Sequence, residues 1–377
     1  MRINIVFVTF VTFVTLLAPI SGCLTEIIGV DGVKIDDGGL ESPAEKVLTI
    51  VTYDIYGLTS ARISDFTNQT GIRVEMIKLG DAGAVLNHLL QTKEAPQADL
   101  ALGLDNTYLQ QAIDHGVIQA HSANVSNVMD SAWAPYNGTM AVPFDQGAIC
   151  LNYDVNSINT SQGKDVPTSL WNLSEEAWKG KVAIPSPVTS SPGRAFMIAT
   201  TDYFANDGDH TTNWTDWWSA MVDNDVIITS GWTEAYETHY SGGYGVWNDD
   251  HIGDANFVVS YCHSPGVEAY WADNYTISTS LILDRASFHQ VEYATVVNGT
   301  SNGEFADLFI EFLLTEDVNL NMPIENSMYS VLTDSELPED NGYRYHSDLP
   351  SLNAQVSPIE ISENMDSWLA AWEAALI

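Results

Sequence analysis

Three aspartates and a glycine-flanked aromatic run are the residues in this sequence best suited to holding a ligand. Asp54 in "TYD", Asp81 in "LGDAG" and Asp105 in "GLDN" each end an apolar run, and "SGWTEAYETHYSGG" sets Trp232, Tyr236 and Tyr240 at four-residue spacing. On a helix that spacing brings the three rings to one face. Ring faces attract a cation by about 2 kcal/mol once water is excluded, and a carboxylate adds a charge-assisted hydrogen bond. The combination suits a flat organic cation. The competing reading of such a stripe is core packing. Against it, Gly231 before Trp232 and the Ser-Gly-Gly after Tyr240 keep the helix short and put Trp232 at the mouth of a site.

The elements that must position these residues alternate in type. "VLTIVTYD", "IRVEMIKLG" and "ADLALGLD" read as buried strands; "LTSARISDFTNQTG", stopped by Gly71, and "AGAVLNHLLQTKEA" read as helices. That alternation implies a parallel sheet covered by helices, with the ligand crevice at the strand C-termini, where the three aspartates arrive together. "MAVPFDQGAICLNYD" reads as two short strands leading out of this lobe and "FVVSYCHSP" as a strand leading back. The helical "EFADLFIEFLLTEDVNLNM" and "ENMDSWLAAWEAAL" are expected to close the first lobe. The expected body is α/β: residues 47–150 begin lobe 1, 151–260 form lobe 2, and 261–377 supply the return strand and mostly complete lobe 1.

Composition narrows the class. Fifty acidic against 13 basic residues give a formal charge of −37, which repels nucleic acid and favours a soluble monomer. Scattered along the chain, the acids read as a surface suited to concentrated salt, hence a halophilic, archaeal source. "MRINIVFVTFVTFVTLLAPISGC" has the short apolar run and small-residue ending of an export signal, and "ISGC" resembles a lipobox, making Cys23 a lipid anchor. Residues 24–46, rich in Gly and Asp, suit a flexible tether. The chain lacks G-x-x-x-x-G-K-[ST], H-E-x-x-H, C-x-x-C and G-x-S-x-G, so the commonest nucleotide, zinc, redox and serine-hydrolase signatures are missing. His263 and Ser264 stand side by side, an arrangement that rarely makes a base and nucleophile pair.

The strings "TYDIY", "KLGDAGAVLNHLL", "ADLALGLDN", "VPFDQGAICLNYD", "SGWTEAY", "VVSYCHSP" and "MPIENSMY" occur in an order and spacing similar to the thiamine-binding subgroup of the periplasmic solute-binding proteins of ABC transporters. The resemblance implies a two-lobed type II fold with a cleft between lobes and two crossover hinge strands. It also implies that Tyr53, Asp81 and Trp232 line the site, with Tyr261, Tyr236, Ser264 and Asn326 as further contacts. Ser190 and Ser191 in "TSSPG" would meet the hydroxyethyl or phosphate end, and Asp54 and Asp105 match family strings. Two ring faces of the family are replaced here by Val267 and Ser327, for which Tyr56, Tyr236 and Trp247 are candidate substitutes. Cys150 and Cys262 would both lie on crossover strands and pair as a disulfide.

The expected role is capture of thiamine or a thiamine phosphate, without cofactor or catalysis, and delivery to a permease and its ATPase. The alternatives are another cation, polyamine or ferric iron, on the same scaffold, and an extracellular thiamine-degrading hydrolase using a cysteine.

Overall fold

The computed structural model describes residues 45–209, 211–243 and 251–377. Cys23, with the export segment and most of the tether, and Trp247 lie outside the described residues.

The chain enters β1 (Val47–Tyr53), α1 (Ser60–Thr70), β2 (Arg73–Leu79), α2 (Ala82–Gln91), β3 (Leu100–Asp105) and α3 (Leu109–Asp114), the alternation expected from sequence. Its punctuation is chemical. Thr59 caps α1 through its hydroxyl, and Gly71 ends that helix at φ 71°, its N–H returning to the Thr67 carbonyl. Asp81 caps α2 by accepting from the Ala82 amide. After the two-residue β4 (Ile118–Gln119) and the single turn α4 (Asp130–Trp133), the chain leaves on β5, Val142–Asp154, one unbroken strand rather than the two expected.

The second half contains β6 (Val182–Pro185), α5 (Ser191–Asn206), α6 (Trp214–Asp223), β7 (Ile227–Thr229), β8 (Phe257–Tyr261), α7 (Ser264–Trp271) and β9 (Ser278–Leu281). The strand that returns is β10, Phe288–Val297, not the "FVVSYCHSP" segment: β8 stays in the second half, paired with β5 and β6. The helices α8 (Gly303–Leu313), α9 (Glu316–Asn319) and α10 (Met322–Glu325) then complete the first half, and α11 (Pro358–Ala375) ends the chain.

All ten strands of the described residues belong to one sheet, whose main path runs β2-β1-β3-β10-β5-β8-β6-β7. β1, β2 and β3 are parallel; β6, β7 and β8 are parallel; β5 and β10 sit between, antiparallel to each other. Because β5 is antiparallel to β8 and β10 is antiparallel to β3, the two parallel halves point at each other. Their C-terminal ends meet over the middle of β5: Glu292 pairs with both Asp105 and Asp145, while Ile149 of β5 pairs with Tyr261. A fold of this topology brings two sets of strand C-termini, the usual ligand edge, to one place.

Each half has its own core. Leu48, Ile50, Phe66, Leu102, Phe144 and Phe309 pack in the first, and Trp178, Phe196, Trp217, Trp218 and Phe257 in the second. α11 joins the second core, through Ile361, Met365 and Trp372, whose ring meets Trp218 edge-on at 5.8 Å. It therefore does not close the first lobe as expected: its apolar stripe finds the tryptophans of α6. α5 is buried without a break from Ser191 to Thr200 and forms the floor of this half.

Cys150 on β5 and Cys262, just beyond β8, are disulfide-bonded with Cα atoms 5.0 Å apart, and both are buried. The bond closes a sequence separation of 112 residues. A cross-link of that span stabilises by about 2 to 4 kcal/mol, chiefly by restricting the unfolded chain. Replacing both cysteines with alanine is therefore expected to lower the denaturation midpoint, while the folded wild type resists alkylation at these two positions; labelling of both sulfurs in the unreduced folded protein would contradict the pairing.

Candidate functional site

A cleft opens where the two half-sheets meet, as two chambers of about 830 and 640 Å³ that share Tyr53, Ile55, Trp232, Tyr261 and Glu292 as their common wall. The larger also touches Tyr236, Ser264, Val267, Glu268, Trp271, Glu325, Asn326 and Ser327; the smaller touches Asp54, Asp81, Gly103, Thr189, Pro192 and Glu234. Among the described residues, no Lys, Arg or His lines either chamber.

The wall in the first half is set by Tyr53 at the end of β1. Its ring lies against Gly103 of β3, where φ is +90° and an added Cβ would fall 2.3 Å from the ring, so only glycine admits the ring at that place. The Tyr53 hydroxyl accepts from Asn326 Nδ2 at 2.9 Å, the same nitrogen donates to Asp145 Oδ2 at 2.8 Å, and Asn326 Oδ1 accepts from the Gly57 amide. Asn326 thus fixes both a ring and a carboxylate.

The opposite wall is the aromatic run. Residues Glu234–His239 form a wide π-helical turn, with the Tyr240 amide bonded to the Ala235 carbonyl five residues back. Such turns recur at functional sites. Trp232 stacks on Tyr236 with centroids 4.8 Å apart and planes 15° from parallel. Trp232 Nε1 donates to Ser260 Oγ at 2.8 Å, which in turn bonds Ser264 Oγ at 2.8 Å. Tyr236 donates to Glu268, and Tyr240 is fully buried against Ser278. The stripe therefore divides its duties: Tyr240 is core, while Trp232 and Tyr236 present to the cleft.

Beneath the cleft run carboxylates in register on three adjacent strands, Asp105 of β3, Glu292 of β10 and Asp145 of β5. The β10 ladder shifts register between Glu292 and Tyr293 against β5 and between Tyr293 and Ala294 against β3, the kind of local bulge found beside functional sites. All three are buried, and Asp105 Oδ2, Asp145 Oδ1 and Glu292 Oε2 have no hydrogen-bond partner among the described residues. Burial pushes the Asp145 carboxyl up to about 8 and Asp105 up to about 6. Glu292 is held well above the usual carboxylate range by burial and then by the charges of Asp145 and Asp105. Burial also raises Glu268 to about 8, against the lowering effect of its bonds from Thr276 and Tyr236. Buried carboxylates disfavour their charge until a proton or a cation supplies the balance.

Of the residues expected from sequence, Tyr53, Asp54, Asp81, Trp232, Tyr236, Tyr261, Ser264 and Asn326 line the cleft. Asp105 does not: it is fully buried beside its cross-strand partner Glu292 and accepts from the Thr107 amide at 2.6 Å. Ser190 and Ser191 are buried at the start of α5, and the Ser191 amide is taken by Asp81 Oδ2 at 3.2 Å, across the cleft. Asp54 is exposed at the rim. Val267 and Ser327 both face the larger chamber, so the two missing ring faces belong to the site. Tyr56 does not replace them, being buried edge-on between Tyr53 and Phe144. Trp271, one helical turn beyond Val267, lines the chamber and is 61% exposed at its mouth.

Asp145, Glu292, Glu268 and Trp271 escaped the sequence reading. A lone acid in an apolar strand, as in "VPFDQGAIC" and "FHQVEYATVV", was the signal available for the first two. His263 and Ser264 are no catalytic pair. His263 Nε2 bonds the Ser327 carbonyl while Ser264 bonds Ser260, and burial lowers the histidine to about 4. The cysteines of the hydrolase alternative are bonded to each other, leaving no thiolate there.

Residues 61–340 match the family described as bacterial extracellular solute-binding protein. The thiamine-binding periplasmic protein of Escherichia coli is 26% identical over 341 residues, 88% of this chain and 94% of that protein. That of Haemophilus influenzae is 25% identical over 299 residues, 78% and 80% of the two chains. Among solved structures, a periplasmic thiamin binding protein superposes with a TM-score of 0.74 at 24% identity, covering 89% of this chain and 98% of that one. Iron-bound HitA from Pseudomonas aeruginosa superposes with a TM-score of 0.63 at 15% identity, covering 88% and 100%. These likenesses establish the shared fold, and with the profile match they show that this chain belongs to the bacterial extracellular solute-binding protein family.

Proposed function

We propose that this chain is the exported binding component of an ABC importer and that its ligand is thiamine, held between the lobes without chemical change. The observation that carries the reading is the in-register row Asp105, Glu292 and Asp145 under a cleft walled by stacked Trp232 and Tyr236 and lined by no basic residue among those described. A permanent, flat cation supplies the positive charge the carboxylates lack and the face the indole stacks upon. Thiamine carries both a cationic thiazolium ring and a flat aminopyrimidine, and the names of the relatives in Escherichia coli and Haemophilus influenzae point the same way. Cys23 is the proposed membrane tether, and the permease with its ATPase the proposed recipient.

Closure around the ligand would use contacts that only both lobes together provide: Tyr53, Asn326 and Glu292 from one side, Trp232 and Tyr236 from the other. A ferric site needs several ligands converging on one point, and among the described residues no group of three or more His, Cys, Asp or Glu is placed to hold a metal ion. Spermidine is the competitor to include in any assay, since acids rather than rings would then carry affinity.

Titration calorimetry with thiamine is expected to give one-to-one binding that Trp232→Ala weakens by about 1 to 2 kcal/mol, roughly five- to thirtyfold in Kd. Heat with spermidine but none with thiamine would contradict the reading.

Proton linkage gives a second expectation. The raised carboxyls Asp145 and Glu268 stay protonated in the empty fold up to about pH 8, whereas in the unfolded chain they ionise near pH 4. Their stabilisation is thus full at low pH and is lost as pH rises toward 8. His263 works in the opposite sense only at acid pH, below about 6.5. Between about pH 6.5 and 8.5, in molar salt, the melting temperature of the ligand-free protein should fall while thiamine affinity rises. Melting curves and titrations across that window check both, and flat or rising ligand-free stability would contradict the assignment.

A further inference from the structure

We infer that Trp271 is an affinity-determining contact of this cleft: its indole closes over the bound ring at the mouth of the larger chamber, where Val267 and Ser327 offer no face. The inference rests on the thiamine reading above and deepens it.

The residue enters from α7, whose cleft side follows from helical periodicity. Ser264, Val267, Glu268 and Trp271 all line the larger chamber, and offsets of three, four and seven residues belong to a single helical face. Side chains on a helix lean toward its N-terminus, so the Trp271 indole covers the surface over the preceding turn, at Val267. Glu268, on the same face, is already committed: its oxygens accept from Tyr236 and Thr276.

Five rings line this chamber among the described residues, and four of them have duties within the protein. Trp232 and Tyr236 stack on each other, Asn326 donates to the Tyr53 hydroxyl, and Gln290 Nε2 donates to the Tyr261 hydroxyl at 3.0 Å. Trp271 is the one that stands exposed, with Tyr270 at a near right angle and centroids 5.2 Å apart. An indole left in water beside an apolar chamber forgoes burial that a flat ligand restores.

The backbone holds the ring at that place under strain. α7 ends at Trp271, and beyond Ala272 both Asp273 and Asn274 take left-handed φ, 54° and 66°, a conformation that a Cβ disfavours. The turn is pinned on two sides. The Asn274 amide returns to the Ala269 carbonyl at 2.8 Å, and Asn341 Nδ2 donates to the Tyr270 carbonyl at 2.9 Å. Earlier in α7, Gly266 packs so closely that an added Cβ would fall 2.0 Å from Ser347 Oγ. Local strain of this kind recurs at ligand clamps, and here it sets the tryptophan before the ligand arrives.

The test has two arms. Titration calorimetry with thiamine compares the wild type with Trp271→Ala, Trp271→Leu and Trp271→Phe. Alanine should weaken binding about three- to tenfold and leucine nearly as much, while phenylalanine, which keeps a ring face, retains most of the affinity. Ligand-free melting temperatures of all three should stay close to that of the wild type, because the side chain is largely exposed. Unchanged thiamine affinity in folded Trp271→Ala, or leucine serving as well as phenylalanine, overturns the inference and leaves the thiamine reading standing. Lost affinity accompanied by a markedly lower melting temperature assigns Trp271 a structural role and overturns it as well. Absence of heat from folded wild-type protein overturns the thiamine reading and this inference together. The second arm needs no variant: hydroxyl-radical footprinting of the wild type should oxidise Trp271 in the free protein and spare it at saturating thiamine. Equal oxidation in both states overturns the inference even where a variant does not fold.

Discussion

A row of buried carboxylates is the constraint around which this molecule is organised. Glu292 sits between Asp105 and Asp145 on the central strands, and each of the three leaves an oxygen unpartnered among the described residues. Burying an unbalanced charge costs several kcal/mol, so burial favours the protonated forms of Asp145 and Glu292 in the empty site. A ligand that brings its own fixed positive charge relieves the same constraint. Binding and protonation therefore compete for one set of oxygens, which ties affinity to pH without any separate switch.

Topology is what gathers those oxygens. Two parallel half-sheets of opposite direction end over β5 and β10, so the C-terminal residues Asp105 and Tyr261 pair with the middle of these two adjacent strands, at Glu292 and Ile149. The disulfide between Cys150 and Cys262 joins β5 to the segment after β8 within this region, and Glu292 of β10 reaches the opening. Walls follow from local requirements: Gly103 admits the Tyr53 ring, Asn326 orients it, and the wide turn at Glu234–His239 sets Trp232 flat upon Tyr236.

Much of this was legible in the residues. The strand and helix alternation of the first lobe, the stop at Gly71 and the ligand-facing Trp232 follow from patterns confined to a few neighbouring residues. What escaped depends on long-range pairing. A single Glu in "FHQVEYATVV" reads as a solvent-facing residue until β10 is known to lie between β3 and β5. The destination of α11 is likewise undetermined by its own stripe, since Trp372 suits either lobe and is claimed by Trp218. Asp105 looked like a ligand contact because it ends a strand; only the folded sheet shows that it is fully buried and that its cross-strand neighbour Glu292 is the acid that reaches the cleft. Trp271 was hidden by exposure, a lone surface tryptophan until the chamber beside Val267 is seen.

The most direct measurement is a proton count on binding: thiamine titrated near pH 7 in two buffers of different ionisation enthalpy, for the wild type and for Glu292→Gln. If the cation replaces protons on the carboxylate row, the wild type releases a substantial fraction of a proton per thiamine bound, and Glu292→Gln releases distinctly less. Binding with no proton release in the wild type, or release that Glu292→Gln leaves unaltered, would contradict the view that these buried acids are what the ligand comes to neutralise.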